Sequence, residues 1–333
     1  MKKTGACLCA LSLSLVFIAA APAAAGDAPD GWWSGVGLSA KADPREAGSE
    51  AAEEAKRKLG ASPAKIVVVA AAEPQVTPEL VEGVAAHFDR KIIYGCQVAS
   101  PLVTEGNFPD AVSLDIEAGV AVWALGGDAD IEIAVVETDP DSDDAYYTAG
   151  GQMAELLRPA LEKTSRPGKL VVTFGDQYNG SNKDYAMGLN DGLEEIHPII
   201  GAAAGNTTAK VVVAGAIRTG VNVGILVAGD FTLGQAMNGG THTPETADKT
   251  LAEAIAQGDG KEPFFALVFN CRRRRQGMIE RGQLAEELGV INKNLAGVDY
   301  FGFYGPGEIG AKAPGEKAEG VGFTVVTAVF FKR

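Results

Sequence analysis

Residues 149–172 read AGGQMAELLRPALEKTSRPGKLVV, and residues 47–69 read AGSEAAEEAKRKLGASPAKIVVV. In both, an Ala-Gly pair opens a helix-like stretch and a lysine then begins a short apolar strand. The later copy carries Met153, Leu156, Leu157 and Leu161 at helical spacing. The similarity extends outward. The earlier copy continues through a helical segment at Glu79 to Phe88, then Ile92-Ile93-Tyr94-Gly95, then Gly119-Val120-Ala121-Val122 to Gly127-Asp128. The later one continues through Tyr185 to Ile196, then Ile199-Ile200-Gly201, then Gly220-Val221-Asn222-Val223 to Gly229-Asp230. Matching landmarks lie 102, 104, 106, 101 and 102 residues apart, one period with small insertions.

A third, shorter copy is expected from the helix Thr250 to Gln257, the buried strand Phe264 to Phe269, the helix Leu284 to Ile291, and the strands Tyr300 to Tyr304 and Val321 to Phe331. Each unit therefore reads α-β-α-β-β. Strands joined by helical crossovers run parallel, while a directly following strand can run antiparallel. The expected class is α/β, with repeated units forming mixed sheets flanked by helices. Glycine, proline and acidic residues at Thr138 to Asp144 and Asn238 to Pro244 mark the junctions. Two units at about 35–138 and 145–238 then form an amino-terminal domain 26–240, and the third fills 241–333.

Hydrophobic residues make up 46% of the 333, enough to fill such a core, and the formal charge is -14. An acidic chain lacks the basic footprint that a nucleic-acid partner needs. Lys2 and Lys3, the uncharged stretch Ala6 to Ala21, and Ala23-Ala24-Ala25 compose a cleavable signal over 1–25. The expected location is therefore exported, periplasmic or secreted after cleavage near Ala25. Cys96 and Cys271 then remain, and the single bridge they could form is not a disulfide scaffold. With His87, His197 and His242 the only histidines, no metal motif is present.

Three stretches sit where strands end. Gly305-Pro306-Gly307-Glu308-Ile309-Gly310 matches a dinucleotide fingerprint, but the helix-hostile Ala311-Lys312-Ala313-Pro314-Gly315 follows it. The run Arg272 to Arg275 follows the strand ending Asn270-Cys271; it is either a solvated loop or a fork for carboxylates and phosphates. Asp176, Asn179 and Asn182 follow Leu170 to Phe174 and serve either the same rim or turn and capping duty.

Taken in order, Ser34-Gly35-Val36-Gly37-Leu38-Ser39, Asp43-Pro44-Arg45-Glu46-Ala47-Gly48, Tyr94-Gly95-Cys96, Gly119-Val120-Ala121-Val122 and Ile199-Ile200-Gly201-Ala202-Ala203-Ala204-Gly205 resemble the FIST (F-box and intracellular signal transduction) sensory proteins. Phe269-Asn270-Cys271 with Arg274, and Gly302-Phe303-Tyr304-Gly305-Pro306-Gly307-Glu308-Ile309-Gly310, extend that resemblance to the carboxyl-terminal part. It implies a FIST N-terminal domain, a FIST C-terminal domain and non-enzymatic sensing of a small molecule such as an amino acid. A membrane-bound signalling or transport partner would receive the signal. Some relatives bind haem through a histidine; that is the one cofactor alternative, and no motif marks a histidine as axial here.

Two other functions compete. One is a thiol-dependent or hydrolytic enzyme using Cys96 or Cys271, although G-x-S-x-G and S-x-x-K are missing. The other is a structural envelope protein without a ligand. For the binding reading, Arg274 and Glu308 are expected to line one cavity, with Cys96 and Tyr94 beside them. Cys271, Tyr304, Gly305 and Gly307 complete the set. Arginine and carboxylate would hold the two ends of an amino acid, or else pair with each other and close the turn.

Overall fold

The computed structural model describes residues 31–103, 119–139, 141–177, 180–205, 209–240 and 242–333; the expected signal segment 1–25 and Asn179 lie outside them. The first unit comprises β1 (Trp32–Ser39), α1 (Pro44–Leu59), β2 (Ala64–Ala72), α2 (Pro78–Ala85), β3 (Ile93–Val98), β4 (Ser100–Val103) and β5 (Val120–Gly127). The second comprises β6 (Asp130–Glu137), α3 (Ala145–Lys163), β7 (Gly168–Gly175), α4 (Ser181–Leu193), β8 (Ile199–Ala203), β9 (Val211–Val213), β10 (Ala216–Arg218) and β11 (Val221–Gly229). The third comprises β12 (Phe231–Gly239), α5 (Pro244–Ala256), β13 (Pro263–Cys271), α6 (Arg272–Arg281), α7 (Leu284–Asn294), β14 (Asp299–Gly305), β15 (Glu308–Gly310), β16 (Glu319–Val321) and β17 (Thr324–Lys332).

The class is α/β with three mixed sheets, ordered β1-β5-β2-β3-β9-β10, β16-β15-β8-β7-β11-β6 and β12-β17-β13-β14-β4. In each, the second and third strands of a unit run parallel and its last strand lies antiparallel to its first and second. The repeat is therefore β-α-β-α-β-β, one strand longer at its start than the expected unit. Strands Asp130–Glu137 and Phe231–Gly239 open the second and third units rather than closing the ones before, because they pair with β11 and β17. The alternating Ile131, Ile133 and Val135 would suit either sheet; pairing with β11 commits them to the second. The third copy is complete over 231–332, not shortened.

After its third strand each unit sends a segment into a neighbouring sheet. β4 pairs with β14, β9 pairs with β3, and β15 pairs with β8. The exchange is cyclic, so each unit completes another's edge and few edges are left open.

The inner sheet faces meet in one core that includes Val68, Ala70, Cys96, Leu170, Val172, Phe174, Phe265, Leu267 and Phe269. Trp123 of the first unit stacks on Phe265 and Phe301 of the third, with ring centroids 5.3 and 5.8 Å away. Helices cover the outer faces, over separate cores for each sheet. Local chemistry starts α1: the Asp43 carboxylate accepts from the Glu46 N–H at 2.9 Å, and Pro44 stands in its first turn.

Three glycines reveal the repeat geometry. A Cβ at Gly95, Gly201 or Gly302 would stand 2.1, 1.9 or 1.6 Å from the carbonyl oxygen of Val69, Thr173 or Val268 on the paired strand. The three positions are equivalent, so residues three further along β2, β7 and β13 are equivalent too: Ala72, Asp176 and Cys271.

Candidate functional site

The carboxyl ends of the parallel strands collect most of the polar residues singled out in the sequence. Strand β13 ends at Cys271 and α6 begins at the next residue, so the arginine run is a first helical turn rather than a loop. Helical rotation divides it: Arg272 and Arg273 are exposed, Arg274 and Arg275 buried. Arg274 turns to the helix-covered side. Its Nη2 donates to Glu287 Oε1 of α7 at 2.5 Å and to the Thr243 carbonyl at 3.1 Å, and its Nε donates to Asn270 Oδ1 at 3.1 Å. The Tyr304 hydroxyl donates to the other Glu287 oxygen at 2.9 Å, and Arg275 lies over the Tyr304 ring. Burial, with Glu287 adding to it, holds the Tyr304 phenol well above its ordinary range.

Glu308 lies elsewhere. The alternation along β13 puts Phe269 and Cys271 on the inner side, and Glu308 faces them from the start of β15. Its Oε2 accepts from the Thr324 hydroxyl at 2.7 Å and the Thr324 N–H at 3.2 Å, while Oε1 has no hydrogen-bond partner. Burial pushes the Glu308 carboxyl up to about 8, against the pull of Thr324, so it holds its proton at neutral pH. The Cys271 thiol next to it is also raised, by burial first and the Glu308 charge second.

The structure thus brings Arg274, Tyr304, Cys271 and Glu308 to one strand edge but splits them between two sides of the sheet. Arg274 takes Glu287 as its ion-pair partner, and Glu308 takes Thr324. Cys96 is buried within the inner face of β3 and its thiol is raised by burial; Tyr94 packs half-buried on the same core. The expected cavity of Arg274, Glu308, Cys96 and Tyr94 is therefore replaced by separate contacts. Gly305 and Gly307 set backbone against backbone: a Cβ at Gly305 would stand 2.6 Å from the Ala203 carbonyl, and the Gly307 carbonyl accepts from the Ala203 N–H at 2.7 Å. Both cysteines are free. Asn182 braces β15 and β16 through the carbonyls of Glu308 and Val321 at 2.9 and 2.7 Å.

Spacing in the sequence does not point to Glu287, Thr243 or Thr324, which reach their partners through tertiary packing. It also passes over a further pattern at the strand ends. Buried side-chain atoms without a hydrogen-bond partner include Gln75 Oε1 after β2, Asp176 Oδ1 and Gln177 Oε1 after β7, Asn270 Nδ2 at the end of β13, Glu308 Oε1 after β14 and His242 Nδ1 after β12. Trp32 Nε1 lies at the opposite end. Ligands of α/β sheets sit beyond the carboxyl ends of the strands. Among the described residues no group of three or more His, Cys, Asp or Glu is placed to hold a metal ion.

The model of the FIST N domain matches residues 65–246, more than half of the chain. A crystal structure of cyanuric acid hydrolase from A. caulinodans is similar at a TM-score of 0.46 and 11% identity, covering 91% of this chain and 99% of that one. No curated protein matches the chain.

Proposed function

Because the chain belongs to the FIST family, whose domains sense small molecules, we propose that it is an exported, non-enzymatic protein that binds a small polar molecule such as an amino acid. The observation that carries this reading is the presence of unpaired buried polar atoms at the carboxyl ends of strands in all three sheets. Each such atom costs the fold about 1–3 kcal/mol when nothing satisfies it. A purely structural envelope protein gains nothing from that arrangement; a binding protein recovers the cost when its ligand arrives. The thiol-enzyme alternative is disfavoured because the thiolate is the nucleophile, and burial raises both Cys96 and Cys271.

Export rests on the amino-terminal sequence, and sequencing the purified protein should find Gly26 first. A membrane-bound partner would then read the liganded state. Native mass spectrometry of freshly purified protein should show a bound metabolite, and a thermal-shift screen of amino acids and organic acids should identify its class. A ligand at about 100 times its Kd adds about 2.7 kcal/mol of stability. No adduct and no shift across the screen would remove the reading.

A further inference from the structure

We propose that Asp176 and Gln177 form a recognition site for a protonated amino group, so that the small molecule is bound at least in part by its ammonium. The inference rests on the binding reading above and names the chemistry of one end of the ligand.

Asp176 and Gln177 follow β7 directly and are 1% and 0% exposed. Their neighbours fix which atoms remain open. Gln177 Nε2 donates to Asn222 Oδ1 at 2.6 Å, and Asn222 Nδ2 donates to Thr138 Oγ1 at 2.9 Å. The Thr138 and Tyr146 hydroxyls stand on the same side and pull the Asp176 carboxyl down against burial. Donation therefore runs one way, from Gln177 through Asn222 to Thr138. That direction sets both amide orientations. Asp176 Oδ1 and Gln177 Oε1 remain as acceptors without donors. A carboxylate or phosphate arriving there would meet lone pairs, whereas an ammonium brings three donors and the opposite charge.

The repeat supplies the second argument. The positions equivalent to Asp176 are Ala72 and Cys271, and those equivalent to Asn222 are Val120 and Val325. At these two positions the other units carry neither an acid nor an amide, so the fold does not require this pair there. Asp176 forms no ion pair among the described residues, although burial, opposed by Thr138 and Tyr146, raises its carboxyl only to about 6 and leaves it charged at neutral pH.

The test is a thermal-shift and calorimetric comparison of the common amino acids, their N-acetyl derivatives and the carboxylic acids that lack the amino group. Free amino acids should raise the melting temperature, and N-acetylation should weaken binding about tenfold or more. Asp176→Asn should produce the same loss while its unliganded circular dichroism matches the parent. If that variant fails to fold, Gln177→Met, of similar size, takes its place with the same expected loss. N-acetyl derivatives binding as well as the free forms, or full binding by the folded variant, overturns the ammonium site and leaves small-molecule binding standing. No response to any amine or acid, with only water in the site, removes both.

Discussion

Arg274 and Glu287 meet at 2.5 Å with both side chains wholly buried, and through this pair α6 is fastened to α7. The Tyr304 hydroxyl on the second Glu287 oxygen ties the same pair to β14. Asn270 and the Thr243 carbonyl use further guanidinium protons. Such a pair supports the fold only while both members are present: its mutual attraction offsets two desolvation penalties, and either charge alone is uncompensated.

Glu287→Ala should therefore destabilise the protein by about 3–5 kcal/mol. The joint replacement Arg274→Met with Glu287→Leu should cost much less. Urea unfolding monitored by circular dichroism measures both. Arg274→Ala should lower the melting temperature strongly, and equal stability of the single and double replacements would show that the pair does not act as a unit.

Glycines separate close approach from free helix surface. Gly302→Ala would put a methyl 1.6 Å from the Val268 carbonyl oxygen, so strands β13 and β14 must part; a loss above about 3 kcal/mol is expected. Gly151, in the interior of α3, has nothing within 4 Å of an added Cβ, and Gly151→Ala should stabilise by about 1 kcal/mol. Thermal melts of the two variants moving in the same direction would contradict this packing.

Cys96 and Cys271 are unbonded and buried. Burial raises both thiols, with Glu308 adding to the effect at Cys271, so little thiolate forms near neutral pH. Ellman's reagent should react slowly with native protein lacking residues 1–25 and should find two thiols at once after denaturation without reductant. Rapid labelling of the native protein, or no free thiol after denaturation, counts against this arrangement.

Acid should stabilise the molecule over a defined window. Glu308 stands at about 8 when folded against an ordinary 4.5, and Asp176 at about 6 against 3.8. Both folded carboxyls bind their proton more tightly than the unfolded chain does. Stability therefore rises as pH falls through about 8 and again through about 6, and the gain is complete near the ordinary values. The melting temperature should be higher at pH of about 5.5 than at about 8.5, and Glu308→Gln should flatten the upper part of that rise. A steady fall in melting temperature over the same range would overturn both assignments.

The amino-acid sequence by itself determined the repeat, the α/β class with mixed sheets, and the family. These rest on local signals: helical spacing at Met153, Leu157 and Leu161, short apolar runs such as Val67 to Val69, and glycine-aspartate pairs at 127–128 and 229–230. It also placed Cys271, Arg274, Tyr304 and Glu308 near one strand edge, since a residue just after a strand must lie there.

Tertiary structure alone decided which sheet each edge strand joins and which buried polar groups meet. The alternation in Asp130–Glu137 fits either of two sheets, and pairing with β11 selects one. Arg274 finds Glu287 because α7 folds back over α6, although the chain offers Glu308 as readily. Asp176, Gln177, Asn222 and Thr138 come from three strand ends that converge only when β6, β11 and β7 assemble. Period and propensity are properties of neighbouring residues; hydrogen-bond valence in a core is settled by whatever packing brings within about 3 Å.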